Sequence, residues 1–240
     1  MDKVVKGLQS EIFVPITPAP VWAPVTKPLS EMKVAIATAA GVHLKSDKRF
    51  NLAGDFTYRL IPGDAPTEEL MVSHGGYDNS DVNKDINCMF PIDRLRELAK
   101  EGFIKEVAPT HVGFMGGGGN QEKFTHETGP AIAKILKEEG VDAVVLTAGW
   151  GTCHRSAVLV QRAIEESGIP TIVIAALPPV VRQTGTPRSV APLVPMGANA
   201  GEPHNIEMQT AILKDTLEQL VEITTPGTIV PLPYEYAAKV

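Results

Sequence analysis

The sequence predicts an α/β protein: a largely parallel sheet with helices on both faces, a three-layer arrangement of the Rossmann-like or flavodoxin-like kind. Strand-like and helix-like segments alternate along the 240 residues, as in successive βαβ units. The strand-like segments are continuous apolar runs, which suits a sheet covered on both faces. Hydrophobic residues make up 43% of the chain and charged residues 21%, enough for a substantial core in a water-soluble molecule.

Residues 1–30 are expected to form an extended arm, because Pro15, Pro18, Pro20, Pro24 and Pro28 crowd its second half. Residues 31–240 are expected to form the α/β domain, with a division into related lobes 31–105 and 106–240 left open. Lys33–Thr38 reads as a buried strand that breaks at Ala39-Ala40-Gly41. Residues 56–60 and 69–73 read as short strands. Residues 91–101 read as a helix, with Pro91 tolerated in its first turn, one apolar stripe of Leu95, Leu98 and Ala99, and Gly102 as its stop. Residues 108–114 suggest a strand that runs into the glycines 116–119. A helix at 129–139 is bounded by Pro130 and Gly140. Ala143–Thr147 is a continuous apolar strand, 156–167 a helix closed by Gly168, 171–176 a strand, and 205–222 a long amphipathic helix.

Charge and segment patterns exclude some classes. A net charge of −6 argues against nucleic acid and anionic membranes as partners. No apolar run reaches the roughly 18–20 residues that span a bilayer, and residues 1–11 lack the apolar core of a signal peptide. A cytoplasmic location is therefore expected. Two cysteines, Cys88 and Cys153, are too few for a disulfide scaffold and are read for reactivity. His74, His111, His126 and His204 are scattered without ligand spacing, so no metal is expected. Residues 116–119 lack the Lys-Ser/Thr ending of a phosphate loop and the spacing of a dinucleotide fingerprint.

In an open α/β sheet, ligands bind beyond the carboxyl ends of the strands. The strand Ala143–Thr147 ends there, and Ala148-Gly149-Trp150-Gly151-Thr152-Cys153-His154-Arg155 follows. Gly149 and Gly151 are expected to allow a tight turn. Cys153 then falls near the first turn of a helix, where amides, the helix dipole and charge from His154 or Arg155 would favour a thiolate. A buried structural cysteine is the plainer alternative. Trp150 is a bulky residue between two glycines, suited to packing over the sheet edge or to covering a ligand. Positions 150 and 153 also have the spacing of a Cys-x-x-Cys redox pair. Selenocysteine would serve at the first place, and its codon UGA differs from the tryptophan codon UGG by one base. His43, His74 and His154 are candidates for proton delivery, and Asp78 and Asp93 for orienting partners or capping helices.

Three further blocks carry a resemblance: Gly41-Val42-His43-Leu44-Lys45-Ser46, Ser73-His74-Gly75-Gly76-Tyr77-Asp78 and Phe90-Pro91-Ile92-Asp93-Arg94-Leu95. With the block from Gly149 to Arg155, they resemble the selenoprotein B family of glycine, sarcosine, betaine and D-proline reductases. The short chain fits the proline-reductase branch best. The resemblance puts Trp150 in the selenocysteine place of a Sec-x-x-Cys region, with Cys153 as its partner. It implies reductive C–N cleavage at the α-carbon of a small amino acid, a pyruvoyl group on a partner subunit, and an electron-donor protein. No cofactor is expected on this chain itself. Two rivals stand beside this reading. One is a cofactor-independent racemase using Cys88 and Cys153, which requires both sulfurs to face one cavity. The other is a non-catalytic subunit in which Trp150 is a native contact.

Overall fold

In chain order the elements are β1 (Lys33–Thr38), β2 (Val42–Leu44), β3 (Tyr58–Pro62), β4 (Leu70–Val72), α1 (Ser80–Lys84), α2 (Ile92–Lys100), β5 (Glu106–Val107), β6 (Thr110–Phe114), α3 (Gly129–Glu138), β7 (Ala143–Thr147), α4 (Gly151–Glu166), β8 (Thr171–Ile174), α5 (Pro178–Thr184), β9 (Arg188–Leu193), α6 (Ile206–Glu222) and β10 (Thr228–Glu235). The computed structural model describes residues 21–118 and 120–236. The first twenty residues of the expected arm, and Gly119 of the glycine run, lie outside that range.

The strands form one sheet in the order β10-β9-β8-β7-β1-β6-β3, with β5 extending the β1 pairing. All its ladders are parallel except the one between β3 and β6. Numbered by first appearance, strands β6, β1, β7, β8 and β9 follow the flavodoxin-like order 2-1-3-4-5. β2 and β4 pair separately and antiparallel, with His43 opposite Met71. β1 pairs on one side with β6 and on the other with β7. Segments 31–105 and 106–240 thus contribute to the same sheet instead of forming a sheet each.

Both faces are covered, as the continuous apolar strands require. Side chains alternate across β1: Val34 and Ile36 join the core under α2 and α6, while Ala35 and Ala37 join the core under α3 and α4. α3 is entered through a helical turn at Gln121–Lys123 and a π-helical turn at Phe124–Thr128, so the helical stretch begins before the expected residue 129.

Residues 21–28 lie against the amino ends of the strands. The Arg188 guanidinium stacks over the Trp22 ring at 3.4 Å and donates to Ala23 O at 2.7 Å. Glu165 accepts from Arg188 at 2.7 Å and also takes the Ala23 amide. Both charged side chains are fully buried. Among the described residues no helix is long and apolar enough to cross a membrane.

Candidate active site

The strand order reverses between β1 and β7, and the carboxyl ends of two such strands are where open α/β sheets bind their ligands. Thr38 and Thr147 end them side by side. The Thr147 hydroxyl lies 2.7 Å from that of Thr38 and donates to Met89 O at 2.5 Å. α4 then begins five residues earlier than the expected residue 156. Trp150 is its N-cap, in extended conformation and without a side-chain capping bond. The His154 amide donates to Trp150 O at 2.8 Å, which makes Cys153 the third helical residue. Neither Gly149 nor Gly151 adopts a positive φ, so the turn does not use the freedom expected of them. Gly149 is needed for a close approach instead: a Cβ there would lie 2.2 Å from Tyr77 Cε1.

Cys153 is fully buried, and its Sγ lies 2.8 Å from His74 Nε2. His74 follows β4. Its carbonyl accepts from Asn79 Nδ2 at 2.7 Å, and its Nδ1 accepts from the Gly76 amide at 2.9 Å. The imidazole packs on Tyr77 with ring centroids 4.8 Å apart, and the Tyr77 hydroxyl donates to Ala40 O at 2.9 Å. The residues that hold His74 in place, Asn79, Gly76 and Tyr77, gave no sign of this role in the sequence. Nor did Ser156, whose hydroxyl donates to Gly116 O at 2.9 Å and pins the glycine loop beside Cys153.

Burial dominates the electrostatics. It pushes the Cys153 thiol up to about 12, against backbone groups of Trp150, Cys153 and Gly116 and the Thr152 hydroxyl, which favour the thiolate. The start of the helix was expected to lower this thiol, but desolvation outweighs that effect. Burial also pushes His74 down to about 4. At neutral pH the pair is therefore a thiol beside a neutral imidazole.

His154 does not bring the positive charge expected beside Cys153. Its ring is fully buried, and burial pushes it down to about 4. Nδ1 donates to Trp150 O at 2.7 Å, while Nε2 accepts from the amides of Ala176 at 3.1 Å and Leu177 at 3.2 Å. The ring thus fastens the loop after β8 to the start of α4. His43 is also turned away from the sulfur, with Nδ1 donating to Leu44 O at 2.7 Å and Nε2 meeting Ser73 Oγ at 2.8 Å. Asp78 is exposed and accepts the Ser80 amide at 2.9 Å, at the start of α1. Asp93 lies in the first turn of α2, bonded to Asn87 and Arg96.

Cys88 belongs to the core under α2 and α6, and Cys153 to the core on the other face of the sheet. The two sulfurs do not face one cavity, which removes the racemase arrangement. A cleft of about 740 Å³ lies around Arg94, Asp85 and His204 and shares no lining residue with the Cys153 site. Among the described residues no group of three His, Cys, Asp or Glu is gathered to hold a metal.

A family model described as glycine/sarcosine/betaine reductase selenoprotein B matches residues 6–149. D-proline reductase subunit gamma of Acetoanaerobium sticklandii is 78% identical over 237 residues, 99% of this chain and 98% of that protein. Sarcosine reductase complex component B subunit beta of Peptoclostridium acidaminophilum is 33% identical over 85% of this chain and 48% of its own length. Glycine reductase complex component B subunit gamma of Carboxydothermus hydrogenoformans is 31% identical over 85% of this chain and 48% of its own. No solved structure matches. The extent of these matches, on a chain whose buried thiol sits at the switch point of the sheet, places the protein in the glycine/sarcosine/betaine reductase selenoprotein B family, as a component of a reductase.

Proposed function

We propose that this chain is the selenium-dependent subunit of a D-proline reductase and that Cys153 is the thiol of its redox centre. The near full-length likeness to a D-proline reductase subunit supports the substrate. One structural observation carries the site: Cys153 stands in the first turn of α4, beyond the strand ends, with His74 on its sulfur and an uncapped position 150 before it.

The net reaction is a two-electron reductive cleavage of the bond between nitrogen and the α-carbon, which opens D-proline to 5-aminovalerate. A pyruvoyl group on a partner subunit would withdraw electrons from the substrate nitrogen. Selenium at position 150 would supply an ionised, polarisable nucleophile at neutral pH, where an ordinary thiol of pKa about 8.5 is mostly protonated. That position fits such a group, because a helix N-cap is where an acceptor meets free amides, and the indole makes no capping bond. Cys153 is then the resolving thiol. With the selenolate joined to the α-carbon and the C–N electron pair gone to nitrogen, the Cys153 sulfur would take the selenium and the carbon would leave with the thiol proton. An electron-donor protein would return two electrons to the selenium–sulfur bridge. His154 positions this centre by holding the Trp150 carbonyl. His43 and Asp78 act at a distance, in the frame that carries His74.

A second reading of position 150 keeps the indole as the native cover of the thiol. Gly76 favours it: a Cβ there would lie 2.5 Å from Trp150 Cε3, so the glycine leaves room for the ring. The genomic codon separates the two readings. UGA supports selenium at 150, and UGG assigns the place to tryptophan. The function itself is tested by assaying the purified complex for D-proline-dependent 5-aminovalerate formation and for selenium. Cys153→Ala should abolish turnover, and a variant that retains full activity removes the sulfur from the mechanism.

A further inference from the structure

The hydrogen bonds around His74 fix more than its place. Nδ1 faces the Gly76 amide at 2.9 Å, and this amide has a proton to give. A proton on Nδ1 would set two hydrogens against each other. The neutral ring must therefore carry its proton on Nε2, the nitrogen 2.8 Å from the Cys153 sulfur. The surroundings work the same way. Tyr77 lies against the ring, and the imidazole is buried with its affinity for a second proton reduced by burial alone. Among the described residues, the titratable groups shown in contact with it are Tyr77 and Cys153.

We infer that His74 serves Cys153 as a neutral hydrogen-bond donor, held in its Nε2–H form by the Gly76 amide, and that it does not act as the base that removes the sulfur's proton. This deepens the reading of Cys153 as the working thiol and rests on it. A base at this place would need a free lone pair on Nε2 and a proton on Nδ1, and the Gly76 amide opposes both. A donor at Nε2 strengthens as the sulfur gains negative charge, because hydrogen bonds to ionised acceptors are the stronger ones. The thiol thus keeps its proton at rest. The anion is stabilised only when chemistry at position 150 draws the sulfur into reaction.

The test uses the full chain carrying ¹⁵N in its histidine rings, with the His74 signals identified by their loss in His74→Asn. The expected result is a protonated Nε2 and an unprotonated Nδ1, unchanged from pH 5.5 to 9. A ring protonated on Nδ1, or one that titrates near its ordinary value, overturns the inference. Alkylation of Cys153 by iodoacetamide tests the consequence without any reductase assay. Loss of one hydrogen bond to a charged group should slow His74→Phe by about 10- to 100-fold, and His74→Gln, which keeps an N–H donor, should recover most of the rate. An unchanged rate in His74→Phe overturns the donor role. If the inference fails while Cys153→Ala still abolishes turnover, the proposed function stands and only the part given to His74 is lost.

Discussion

Gly116 sits where the loop after β6 crosses the start of α4, and a Cβ there would lie 2.7 Å from Cys153 Cα. The next atoms, Cys153 Cβ and Ala39 Cβ, are fixed by their own backbone, so the contact cannot be relieved by turning a side chain. Gly116→Ala is expected to cost about 1–3 kcal/mol of stability, as overpacking does, and to displace the thiol. The check is a fold retained by circular dichroism, together with alkylation of Cys153 at a rate far from that of the parent. The position of Cys153 was legible in the sequence, because strand Ala143–Thr147 and the following glycines mark a strand-to-helix turn. Its partner was not. His74 and Cys153 are 79 positions apart, and nothing local to either reveals their contact. His74 was one of three candidate histidines, but the group beside the sulfur was expected from His154 or Arg155. Adjacent residues on a helix do not share a face. His154 turns toward the backbone of residues 150, 176 and 177 while Cys153 turns toward His74.

At the scale of elements, the buried pair Glu165–Arg188 joins the end of α4 and the first residue of β9 to the arm at Trp22 and Ala23. Removing Arg188 leaves the buried Glu165 carboxylate without its counter-charge, with only the neutral donors of Ala23 and Thr171. Arg188→Met is expected to destabilise the protein by about 3–5 kcal/mol, while the double change Arg188→Met with Glu165→Leu recovers much of the loss. Chemical denaturation of the three proteins measures this, and equal stabilities would refute it. The β1 and β7 strands and α6 were legible because their apolar patterns are long and free of proline. β9 and β10 were not, because Pro192, Pro231 and Pro233 interrupt them. The structure accommodates these prolines by position: β10 is an edge strand with an irregular register between Pro231 and Glu235, and Pro192 lies past the last pairing of β9 with β8. α5 begins on Pro178 and Pro179, which suit a first helical turn but offer little periodicity to read.

At the scale of the molecule, three histidines are held neutral inside the fold. Burial lowers His74 and His154 to about 4 and His111 to about 3, from an ordinary 6.5. The unfolded chain takes up these protons below pH 6.5 and the folded chain does not. Stability is therefore present above that pH and is lost as pH falls toward about 4, by on the order of 3 kcal/mol for each fully buried ring. Glu165, raised by burial, works in the opposite direction, one group against three. The melting temperature should fall between pH 7 and 4.5, and His111→Gln should flatten the fall; a flat profile in the parent chain contradicts the account. The placement of the arm has a practical corollary. Trp22 and Ala23 dock at the amino ends of the strands, the pole remote from Cys153. A tether or fusion partner joined directly at Val21 therefore departs from the far pole, and immobilisation by that route leaves the strand ends around Cys153 uncovered.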